Sequence, residues 1–67
     1  MIEIGQRLTD DMANIEYEKI IATTPHTATY LNDADDDTEM ILETNSERYE
    51  VNFQYHDDIA CFIQRIA

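Results

Sequence analysis

The chain has few of the residues that usually interrupt or staple a fold. Among its 67 residues there is one cysteine, one glycine, one proline and no tryptophan. A single thiol, Cys61, excludes an internal disulfide, and one cysteine with two distant histidines is too few for a four-ligand zinc set. A chain this short buries a modest share of its surface and has a thin stability margin. No apolar run is long enough to cross a membrane, and charges throughout Met1–Asp11 leave no signal-peptide pattern. The expectation is one unstapled cytoplasmic domain over residues 1–67, without metal or cofactor. The scarcity of Gly and Pro, with 43% hydrophobic residues, argues for a folded domain over a disordered acidic tail.

Cations are scarce as well. Fifteen Asp and Glu face four Lys and Arg, a formal net charge of −11. Solubility in a small domain needs a net charge of only about 2–8. The excess costs stability through self-repulsion, so a bland origin in salt adaptation competes with a working role. Such a surface repels nucleic acid and anionic lipid and attracts a basic protein face.

The clearest local pattern is Arg48–Ile66. Tyr49, Val51, Phe53 and Tyr55 alternate with Arg48, Glu50, Asn52 and Gln54, the period of a half-buried strand. Beyond Tyr55, residues Ile59, Phe62, Ile63 and Ile66 fall at i, i+3, i+4 and i+7, which predicts a C-terminal helix. Asp57 and Asp58 suit its start and Arg65 its last turn. Upstream, Thr38–Thr44 reads as a strand with Met40 and Leu42 inward and Glu39, Ile41 and Glu43 outward. Asn45–Ser46 joins it to Arg48–Tyr55 as an antiparallel hairpin. Thr27–Leu31 is a shorter β-rich run after Pro25, with either face able to turn inward. In the first segment, Ile4, Leu8, Met12 and Ile15 recur at helical spacing, and Thr9 with Asp10 and Asp11 marks a start. A helix over about Thr9–Ile21 is expected, although Ile15, Tyr17 and Ile21 also fit strand alternation. The predicted fold class is α+β: an N-terminal helix, a three-stranded antiparallel sheet and a C-terminal helix packed on it, αβββα.

On that frame the hairpin's solvent face carries Glu39, Glu43, Glu47 and Glu50, with the loop Asn32–Asp37 at one end. Same-face residues two apart on a strand lie about 6.6–6.8 Å apart. Rows of carboxylates so spaced resemble the charge array from which nucleic acid draws its affinity for proteins. Asp33, Asp35 and Asp37 fit the first ligands of an EF-hand. The match fails at Thr38, where Gly is needed, and at Thr44, where a bidentate Glu is needed. His26 and His56 have no nucleophile near them in sequence, and Cys61 reads as a structural thiol. Tyr49 and Tyr55 read as core, whereas Tyr17 or Tyr30, if exposed, could anchor an interface. With no phosphate loop, dinucleotide fingerprint or metal set, an enzyme is not expected.

Size, acidity and the absence of a catalytic set resemble the DNA-mimic inhibitors of phages and mobile elements. That group includes anti-CRISPR proteins, inhibitors of uracil-DNA glycosylase and anti-restriction proteins. The resemblance spans the whole chain in composition, without a diagnostic motif. It is carried by Asp33, Asp35, Asp36, Asp37, Glu39, Glu43, Glu47, Glu50, Asp57 and Asp58. It implies an anti-CRISPR protein, monomeric and not itself bound to nucleic acid, that occupies a basic groove of a CRISPR-Cas effector and blocks target DNA. The contrasting readings are an interaction module, such as an antitoxin or a homodimer formed through Ile41, and a calcium-binding module.

Overall fold

The computed structural model describes residues 2–33, 37–54 and 58–67. Its elements are β1 (Arg7–Thr9), α1 (Asp10–Thr23), β2 (Thr27–Asp33), β3 (Asp37–Glu43), β4 (Arg48–Gln54) and β5 (Ala60–Arg65). The strands form one five-stranded antiparallel sheet in the order β1-β5-β4-β3-β2. The helix α1 packs on one face, mainly over β5 and β1. The expected αβββα arrangement, with a three-stranded sheet and two helices, is therefore wrong: the described residues form one helix, and two further strands extend the sheet.

The hairpin is where alternation predicts it. β3 and β4 pair from Asp37↔Gln54 to Glu43↔Arg48 around the turn at Asn45–Ser46. Met40, Leu42, Tyr49, Val51 and Phe53 are all buried on the helix side. The C-terminal helix is replaced by β5. Here Phe53 pairs with Ala60 but Asn52 pairs with Phe62, so Cys61 is an extra residue, a β-bulge. The bulge sets the inward side chains Ala60 and Ile63 three positions apart instead of two. The expected helical stripe breaks up: Ile63 faces the core, Phe62 takes the other face, and Ile59 and Ile66 lie outside the strand, 55% and 43% exposed. Phe62 and Gln64 go to the opposite face, opposite Asn52 and Glu50.

The N-terminal helix is present, but its phase differs from the expected one. Ala13 and Ile20 are buried, with Tyr17 and Ile21 packed against the core, whereas Met12 and Ile15 are 58% and 60% exposed. The expected stripe took its phase from Ile4 and Leu8, which are not helical. The chain there turns at Gly5, whose φ of +86° suits glycine, then enters β1. Asp10, at φ +55°, swings the chain from β1 straight into α1, a conformation Asp tolerates. Thr9 precedes the helix without a side-chain capping bond. Asn14 anchors α1 to the sheet: its side-chain oxygen accepts from the Ala60 N–H at 3.0 Å. The Tyr17 ring meets Phe53 edge-on, with centroids 5.1 Å apart. Thr24 N–H closes the helix on the Ile20 carbonyl, and Pro25 follows.

Candidate interaction surface

The sheet face without the helix is the best-defined candidate surface. Residues directly opposite in an antiparallel pair share a face, so the register lays it out row by row. One row runs Thr29, Ile41, Glu50, Gln64 and Arg7 from β2 to β1; the next runs Asn32, Glu39, Asn52, Phe62 and Thr9. A third begins Thr27, Glu43 and Arg48. Glu39, Glu43 and Glu50 therefore surround Ile41. Glu50 is diagonal to both others, about 7–8 Å between backbones. Glu39 and Glu43 are four residues apart on β3, about 13–14 Å.

The charges on this face are unequally compensated. Glu43 accepts from Arg48 Nε and Nη2, both at 3.2 Å, in a pair that is largely exposed. Glu39 and Glu50 make no ion pair with a described residue. Asn52, in the middle of the face, has a buried side-chain oxygen without a hydrogen-bond partner among the described residues. The Cys61 thiol at the bulge donates to the Asn52 backbone carbonyl at 3.4 Å.

The remaining expected contact residues do not gather there. Glu47 turns away from solvent. Its carboxylate lies 3.5 Å from Arg65 Nη1, with both side chains under one-fifth exposed, and it accepts from the Thr44 hydroxyl at 3.4 Å. The Tyr49 phenol also bonds it. Asp58 is exposed near Tyr17, on the helix side, where its charge helps to raise the Tyr17 pKa after burial and Tyr30. Asp33 ends β2 and Asp37 opens β3, two residues from Glu39. Asp35, Asp36 and Asp57 lie outside the described residues, as do Tyr55 and His56. The structure thus joins Glu39, Glu43 and Glu50 on one face and leaves Asp58 and Glu47 elsewhere. Reading the sequence alone missed Arg7 and Phe62 as members of this face. Pairing between the two chain ends brings them in, and no local pattern reports it.

Among the described residues no group of three or more His, Cys, Asp or Glu is arranged to hold a metal ion. Most of the EF-hand-like stretch 33–44 is strand β3, not a ligand loop. A depression of about 370 Å³ between Pro25–Thr27 and Glu43–Asn45 has one carboxylate in its lining, that of Glu43. His26 beside it is fixed through Nδ1–H, which donates to the Thr24 carbonyl at 2.9 Å. No described helix is long and apolar enough to cross a membrane. No protein-family model, curated protein sequence or solved structure matches the chain.

Proposed function

We propose that this protein is an inhibitor that lays its open sheet face, with Glu39, Glu43 and Glu50, into a cationic nucleic-acid groove of another protein. The target class we propose is a CRISPR-Cas effector, which makes the protein an anti-CRISPR; other DNA-handling enzymes with similar grooves are the alternative. The carrying observation is the uncompensated charge on a rigid lattice. Glu39 and Glu50 make no ion pair with a described residue and lie on adjacent hydrogen-bonded strands of a chain with net charge −11. Carboxylates fixed by strand register lose little freedom on binding, and a groove built for phosphates meets them with Lys and Arg.

The test is competition. The purified protein should displace target DNA from the effector, and its affinity should fall steeply between roughly 50 and 200 mM salt. The double variant Glu39→Lys with Glu50→Lys should bind at least about tenfold more weakly, ~1.4 kcal/mol, while keeping its circular dichroism. Binding that ignores both salt and these reversals rules the reading out.

A further inference from the structure

The two edges of the sheet differ. β1 is three residues long, whereas β2 has seven and pairs only with β3. Thr27–Asn32 are exposed throughout, with Tyr30 62% and Leu31 59% exposed. No charged side chain occurs between Thr27 and Asn32, although 28% of the chain is charged. Edge strands are normally blunted by Lys, Pro, charges or bulges. Along Thr27–Asn32 the blunting feature is the bulge at Leu31, where Tyr30 pairs with Met40 and Asn32 with Glu39. Thr27–Tyr30 ahead of it is regular strand with an open outer edge.

We propose that this edge pairs with the same edge of a second copy, antiparallel about a two-fold axis near Thr29, to give a continuous ten-stranded sheet. Three features favour a second copy in that orientation. First, β2 ends on Asp33, whereas Pro25 and His26 precede its other end. Parallel pairing would set the two Asp33 positions side by side. Antiparallel pairing about Thr29 separates them by eight residues, about 26–27 Å, against a Debye length of about 8 Å at physiological salt. Second, the like charges on the open faces stay apart. From β3 of one copy to β3 of the other is three strand spacings, about 14 Å, again beyond the screening length. Third, a cationic partner would find no carboxylate between Thr27 and Asn32 to recognise, whereas an uncharged edge complements itself. An axis perpendicular to the sheet keeps both helices on one side. It brings Ala28 and Tyr30 of the two copies together beside Tyr17, and runs the two Glu39–Glu43–Glu50 faces into one.

This inference stands apart from the inhibitor reading, and salt separates them: screening weakens binding to a basic groove but strengthens association of two acidic copies. Sedimentation from micromolar to millimolar protein should show the mass rising from 7.8 kDa to twice that value, at lower concentration when salt is raised. The double variant Thr29→Lys with Leu31→Lys lowers the net repulsion, yet places like charges across the axis. It should associate about tenfold more weakly with unchanged circular dichroism. In the wild type, β2 amides should gain protection from hydrogen exchange as concentration rises, so the test holds even if the variant misfolds. A monomer at millimolar protein in high salt overturns the proposal. So does a dimer whose β2 amides exchange as in the monomer, or one indifferent to the two lysines in a folded variant.

Discussion

Arg65 and Glu47 show what a single pair does in a fold this small. Besides facing Glu47, Arg65 donates to the Ile2 carbonyl at 3.2 Å and to the Ala67 carbonyl at 3.1 Å, so one guanidinium ties both chain ends to the β3–β4 turn. Charges this shielded leave a partner stranded when one is removed. Glu47→Gln should lower stability by about 1–3 kcal/mol, whereas Glu43→Gln, in an exposed pair, should cost less than about 1 kcal/mol. Urea unfolding of the two variants measures the difference, and equal losses would refute it. Tyr49 adds a pH signature. Burial first, then its bond to Glu47 and the charge of that carboxylate, push its phenol up from 10 to about 12, against a smaller opposing effect of Arg65. A pKa raised in the fold favours the neutral phenol. Its contribution is complete below about pH 10 and is lost as pH rises through about 12. Tyr17 shifts the same way, through burial first. Stability should therefore fall above pH 10, less steeply in Tyr49→Phe than in wild type, with Tyr49 phenolate absorbance delayed to about pH 12.

Individual elements differ in how far local sequence reports them. β3 and β4 are legible because strict alternation places Met40, Leu42, Tyr49, Val51 and Phe53 on one face, and the register agrees. α1 is legible as a helix but not in phase. It has apolar residues on two sides, and only packing on β5 decides that Ala13, Tyr17 and Ile20 face inward. Ile20→Ala should cost about 2–5 kcal/mol and Ile15→Ala within about 0.5 kcal/mol. Thermal unfolding of the pair tests the phase, and a reversed order would restore the stripe through Ile15. β5 is illegible for a different reason. Its apolar residues sit at helical spacing by coincidence of position: the bulge at Cys61 breaks strict alternation, Phe62 and Ile63 take opposite faces, and Ile59 and Ile66 flank the strand. β1 is too short to carry a pattern, and its existence depends on pairing Arg7–Thr9 with Phe62–Gln64.

Across the molecule, electrostatic repulsion works against a small core. A net charge of −11 on a chain with a Cα radius of gyration of 10.8 Å crowds like charges within a few Debye lengths. Added salt should stabilise the fold. If screening relieves about 1 kcal/mol, the melting temperature rises about 4–8 °C, measured at low protein concentration to keep association out. A melting temperature indifferent to salt would mean that the carboxylates are too far apart to strain the fold. The amino-acid sequence by itself determined the acidity, the central hairpin and the existence of the first helix, because composition and short-range alternation are local properties. Tertiary structure alone decided that the chain's two ends pair as β1 and β5, and which side of the helix is buried. It also decided that Glu39, Glu43 and Glu50 share a face while Glu47 turns inward. The physical reason is that these outcomes rest on contacts between residues up to some sixty positions apart, such as Arg65 with Ile2, and on one inserted residue that resets the strand period.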